Sequence, residues 1–272
     1  MIPTLTQAHK RVKSESFYKS FAYEAPLCPG DHGIPPDQVD FSIHSDLNNP
    51  ELLRQGRRFT RRNYLSVLLC HVIMVMFAIA SRYGRVVFYH TGESLTKEKA
   101  QPRYLSAISR IMKWLEEDEF ITTDGNNNSS SGSKDVKIVR KIHYLAAKTH
   151  FKRPKPQLPP LTEIQIKVLD AIKKETEHVD LSVAPGWILL DDPEIPLSQF
   201  PMSAGQWGFM GLLVLMPEKF VLTDNRGLDG YVHQWAIIGR QLGIEDRFNW
   251  GLHYKQTGDV TAFQLSTFKA RA

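Results

Sequence analysis

His143 is the residue of this 272-residue chain whose setting most invites chemistry. It stands in VRKIHYLAAK. If that stretch is helical, its neighbours at i−4, i+3 and i+4 are Val139, Ala146 and Ala147, with Val136 two turns back. An imidazole emerging from an apolar face of small residues suits two roles. One is a core histidine with a hydrogen-bonded nitrogen, the commoner case; the other is an iron ligand, facing a flat macrocycle that needs apolar walls of little bulk close to the metal. Arg140, three residues earlier, could pair with a propionate or an oxygen-bearing substrate.

Competing sites are weaker. His71 lies inside an apolar run, His233 stands beside Ala236 and Ile237 in helical register, and His90 precedes a Thr91-Gly92 turn. No pair has HExxH or another metal-site spacing, and there is no GxSxG elbow, GxxxxGK[ST] phosphate loop or GxGxxG strand-to-helix turn. Hydrolase and nucleotide-binding chemistry therefore lose their usual signals. Cys28 and Cys70 form no CxxC pair and no disulfide framework, which allows a reducing compartment. The net charge of +5 is spread over separate clusters, Arg54 to Arg62 and Lys148 to Lys155, without interleaved aromatics, so nucleic acid is not an expected partner. The start, MIPTLTQAHKRVKSES, lacks the apolar core of a secretory signal, and an intracellular protein is expected.

The elements that must position these residues read as helices. With 42% hydrophobic and 23% charged residues, the chain can bury a substantial core. Residues 1–49 are rich in Pro, Gly, Asp and Asn and are expected to form an irregular arm. From Pro50, capped by Asn48 or Asn49, a helix is expected to run through the arginine cluster into Tyr64–Ala80, with a break near Gly84. That apolar run reads as a buried helix, with membrane association left open by its length and arginine flank. A second helix follows Thr96, beginning at or just before Pro102 and carrying Tyr104, Ile108, Ile111 and Leu115 on one face. Residues 122–135 are low-complexity and read as a flexible loop, and 151–160 as a proline-rich connector. Helices are then expected at Lys134 to His150, Leu161 to Glu177, Met202 to Met216 and Leu228 to Leu242, the last capped by Gly243. The fold class is all-α.

Four segments in order carry a likeness to a known family: GRRFTRRN with the apolar run after it, YHTGESLTKEKAQPRYLSAISRIMKW, VKIVRKIHYLAAK, and MSAGQWGFMGLLVLMPEKFVL with VHQWAIIGRQLGIEDRFN. The series resembles the haem-dependent oxygenases that include the bacterial rubber oxygenase, or latex-clearing protein, and the endoplasmic-reticulum-bound oxygenase of mycophenolic acid biosynthesis. The resemblance covers residues 50–250 as a catalytic domain. It implies a globin-like helical bundle around one b-type haem, with dioxygen and an apolar, isoprenoid or lipid-like small molecule as substrates.

The family's proximal ligand falls in the VRxxH helix, which selects His143 as the iron ligand. Arg140 is then a contact to the cofactor or the reacting atoms, and Trp207 and Trp235 are cofactor-pocket walls. Of the rubber oxygenase's distal arginine, lysine and threonine, only Arg103 carries over as a catalytic candidate, because Ser106 and Ala107 follow it here. The resemblance also implies further helices after GIEDRFN, so 251–272 is expected to be an atypical, shortened tail. Two other readings stand beside an oxygenase: a noncatalytic haem or hydrophobic-ligand carrier of the same fold, and a membrane-associated structural protein.

Overall fold

Among the described residues the first long α-helix is capped by Asn49. Its backbone is extended, its side chain accepts the amide hydrogen of Leu52 at 3.1 Å, and Pro50 and Glu51 fill the first turn. A bare helix amide is thereby satisfied, and a carboxylate sits at the positive end of the helix dipole. The computed structural model describes residues 16–30 (save 18), 34–39, 41, 43, 45–80, 84, 87–88, 91–117 (save 93), 131–149, 160, 162–176 and 197–257 (save 223). Among these there is no strand, only an isolated bridge between Pro29 and Ser198, and the fold is all-α.

The helix expected to run from Pro50 into the apolar segment is two helices, α1 (Pro50–Arg62) and α2 (Tyr64–Ala80), meeting at 87°. The corner is Asn63. Its side-chain amide donates to Phe59 O at 3.1 Å and Asp224 O at 3.2 Å, while Arg62 reaches the Asp224 carboxylate at 2.9 Å. A distant segment thus pins the bend. No single helix among the described residues is long and apolar enough to cross a membrane.

The next helix, α3 (Lys97–Glu116), begins at Thr96, so Pro102 lies inside it rather than at its start. Pro102 is exposed, where water can serve the Glu98 carbonyl that its missing N–H leaves bare. Helix α4 (Ser131–Thr149) takes up the last residues of the stretch read as a loop; the rest of that loop and nearly all of the proline-rich connector fall outside the described residues, as does His90. Then come α5 (Glu163–Thr176), α6 (Gln199–Leu215), α7 (Leu228–Leu242) and α8 (Trp250–Thr257).

Helix α7 is the centre of the molecule, buried from Gly230 to Gly239. It ends where the sequence predicts: Gly243, at φ +103°, donates its amide to Gly239 O and Arg240 O. Its contact with α1 is unusually close. A Cβ on Gly56 would stand 2.5 Å from Gly230 O, and one on Gly230 would stand 2.3 Å from Leu52 O. Hydrogen alone fits between these backbones.

Both ends of the described chain belong to this core. Phe21 stacks on Phe200 with ring centroids 4.9 Å apart, Phe17 stacks on His253 at 4.2 Å, and both set edges against Trp250. The arm expected to be irregular therefore supplies core aromatics, Phe21 from a short π-helical turn and Phe17 from the helical residues before it. Beyond Phe248 a buried amide network fastens α8. Gln206 donates to Trp235 O (2.8 Å) and Asn249 Oδ1 (2.9 Å) and accepts from the Trp250 amide (2.9 Å), while Asn249 donates to Ala236 O (2.9 Å). The packed core thus continues through Thr257, past the start of the expected tail.

Candidate functional site

Between α2, α3, α4, α6 and α7 lies a cavity of about 1070 Å³, at the upper limit of the ~300–1,000 Å³ typical of ligand pockets. Its walls are apolar, and they bring together residues from Phe21 to Trp250. His143, Arg103, Trp207 and Trp235 all line it.

Two ties on α4 aim His143. Asp135 bonds Arg110 of α3 at 2.5 Å, with Lys113 3.6 Å away. On its buried face, Arg140 donates to Gln241 O at 3.0 Å and lies within 3.5 Å of Arg240 O. These carbonyls are at the C-terminal end of α7, where cationic donors are favoured. Arg140 is therefore not a cavity residue, contrary to its expected role beside the cofactor; it fastens the helix that carries His143. The sequence could not reveal this, because the acceptors lie a hundred residues away.

Arg103 lines the cavity and is held by hydrogen bonds to Thr91 Oγ1 (2.6 Å) and Ser94 Oγ (3.0 Å), with its guanidinium 4.8 Å from the Phe88 ring centre. Arg110 and Lys219 add two cations to the lining, and no carboxylate contributes among the described residues. Arg110 was legible but missed: it follows Arg103 by seven residues, and so shares its helical face. On α6, Trp207 turns a buried indole Nε1 with no hydrogen-bond partner among the described residues, and Gly205 leaves open space where a Cβ would stand.

Behind the wall sits a polar trio. Trp235 stacks on Phe209 at 5.3 Å, and both present faces or edges to His71. Tyr231 donates to Phe209 O at 2.8 Å, so its oxygen accepts from His71 Nε2 at 3.3 Å, and this fixes the imidazole tautomer. Burial lowers the His71 pKa to about 3 and raises the Cys70 thiol next to it to about 12. His233 is buried elsewhere and accepts from Lys255 Nζ at 2.7 Å; burial, then the lysine charge, bring its pKa down to about 4. Neither His71 nor His233 lines the cavity.

What this arrangement can do is bounded by its donor set. Among the described residues the lining offers one histidine and no carboxylate, so no acid–base pair is assembled there. Among the described residues no three of His, Cys, Asp or Glu gather to hold a bare metal ion. The described lining, largely apolar with three cations and one imidazole, has room for a large apolar ligand that carries negative charge. No protein-family model, curated protein or solved structure matches the chain.

Proposed function

We propose that the chain is a haem b-dependent oxidoreductase, an oxygenase acting with dioxygen on an apolar, isoprenoid or lipid-like substrate, in a globin-like setting of helices. The observation that carries this reading is that, among the described residues, a single histidine stands in the wall of a large apolar cavity whose charged lining residues are cations. A porphyrin brings four nitrogens to its iron and asks the protein for one, and its propionates suit a cationic lining.

The residues present fit the group. His143 would be the axial ligand, the orphaned Trp207 Nε1 and the cations Arg103, Arg110 and Lys219 would meet its carboxylates or a polar substrate end, and Trp235 would form a wall. When bound, haem would supply the iron that activates dioxygen. The chain's own part is to orient the imidazole through Asp135 and Arg140, exclude water with apolar walls, and hold Arg103 in place as a fixed charge. The resemblance of the four sequence segments to the haem-dependent oxygenases supports the same assignment.

One observation favours a noncatalytic ligand carrier instead: Ser106 and Ala107 follow Arg103 on the cavity wall, where a distal lysine or threonine would be expected. Dioxygen consumption with a polyisoprenoid or lipid substrate, above that of free haem, separates the two. The primary test is the absorption spectrum of protein made with haem supplied, wild type beside His143→Ala. A Soret band that is lost or displaced in the variant and restored by added imidazole is the expected outcome. An unchanged spectrum refutes His143 as ligand, and absence of haem from a folded wild type refutes the reading as a whole.

A further inference from the structure

Among its described residues, the outer face of α4 is built from three residue types. Between Lys134 and Lys148, every exposed residue is Lys, Ile or Leu: Lys134, Lys137, Ile138, Lys141, Ile142, Leu145 and Lys148. The one acidic residue in that span, Asp135, is turned inward to Arg110 and Lys113.

These residues fall in rows. Lys137, Lys141 and Lys148 share one edge. One residue on, about 100° round the helix, stand Ile138, Ile142 and Leu145; one residue further stand Val139, His143 and Ala146, which line the cavity. The order around the helix is therefore cation, apolar, cavity. Helix α2 repeats the pattern without charge: Leu65, Leu69, Val72 and Met76 form an exposed apolar row that leads to Phe77. Phe77 and Ile142 line the cavity and are also 60% and 51% exposed, so they stand at its mouth.

We infer that this face rests on an anionic lipid bilayer, with the α4 lysines at the headgroups, the apolar rows among the first acyl carbons, and the cavity mouth opening toward the lipid. A lysine row bordering an apolar row is the pattern of helices that lie in a membrane interface. A soluble partner would not require the apolar rows to run into a cavity, whereas a lipid phase does so if the cavity takes its ligand from that phase. The inference stands apart from the haem reading, because lipid binding can be measured without haem.

The test is flotation of the full chain with phosphatidylcholine vesicles, with and without phosphatidylserine, at low and high salt. Wild type is expected to float with the anionic vesicles and to be released by salt. Replacing Lys134, Lys137, Lys141 and Lys148 by Gln should weaken partitioning on the order of a thousandfold, at roughly 1 kcal/mol per basic residue. Ile138→Glu with Leu145→Glu should weaken it about tenfold or more, through the lost insertion and the added charge. None of these six sites lines the cavity, and the glutamine variant keeps polar side chains at the four exposed lysine positions, so its helical circular dichroism should match wild type. Failure of folded wild type to float, equal flotation of the glutamine variant, or self-association of wild type abolished by the glutamates would each overturn the inference.

Discussion

The sharpest test of the cavity is a substitution that makes the protein more stable while spoiling its site. Gly205 sits in the interior of α6, on the cavity wall, and a Cβ built there meets nothing within 4 Å. Replacing a mid-helix glycine by alanine is worth ~0.5–1 kcal/mol in backbone entropy and propensity. A leucine adds three more carbons against apolar walls. At ~0.8 kcal/mol per buried CH₂, discounted by about half because the cavity is open to solvent, they contribute ~1 kcal/mol more. Gly205→Leu should therefore stabilise the ligand-free protein by ~2 kcal/mol, a rise of about 4–8 °C in Tm for a chain of this size. The same atoms occupy the space a macrocycle needs. Haem uptake, followed by titration of the Soret band, should fall at least tenfold in Gly205→Leu and remain near wild type in Gly205→Ala. Destabilisation by leucine would refute the open space beside Gly205. Undiminished uptake in a stabilised variant would refute this cavity as the haem site.

Elsewhere glycine carries the opposite expectation. Gly230→Ala must push its methyl group into Leu52 O and Gly56 N, both backbone atoms, and should cost ~3 kcal/mol or more in urea unfolding; a loss below ~1 kcal/mol would contradict the close α1–α7 contact. Acid should also weaken the fold through its buried histidines. His71 and His233 are held neutral, with pKa values near 3 and near 4, whereas in the unfolded chain they titrate near the ordinary value of 6.5. The unfolded state therefore binds more protons as pH falls. Their stabilisation is complete above about pH 6.5 and is lost progressively below it, down to the folded values, at up to ~1.4 kcal/mol per pH unit for each histidine. Urea midpoints that stay constant from ~pH 7 to ~pH 5 would show that these imidazoles are not sequestered from protons.

What could be read from the sequence was whatever is decided within a few turns of helix. The α7 stop at Gly243 is a local matter of one left-handed residue, and the apolar face of α4 follows from spacing alone. The 87° corner at Asn63 was hidden because its second acceptor, Asp224 O, arrives from the far side of the fold. Pro102 misled in the other direction: propensity places it at a helix start, but the helix tolerates it at an exposed position inside. Glycine and proline in residues 1–49 suggested an irregular arm, and its isolated aromatics Phe17 and Phe21, which show no period, dock on Trp250. At the site, His143, Trp207 and Trp235 converge on one cavity, and Arg110 could have joined them by register. The structural task of Arg140 could not have been foreseen, since it depends on where α7 ends.

The size of the cavity is itself an argument for a ligand. At ~24 cal/mol per Å³, a sealed apolar void of 1070 Å³ would cost on the order of 25 kcal/mol, more than the ~5–15 kcal/mol by which a whole domain is stable. It cannot be closed and empty, so its mouth at Phe77 and Ile142 is a condition of the fold and not an accident of the surface. Water admitted there meets a described wall that is mostly apolar, with charged groups at Arg103, Arg110 and Lys219 and a few polar side chains such as His143, Ser106 and Gln206. An apolar ligand with one or two anionic groups would free that wall from water and place its charge beside those cations. Stability that packing at Gly205 forgoes is thus available to whatever binds, which is why filling the site by mutation and filling it by ligand should exclude each other.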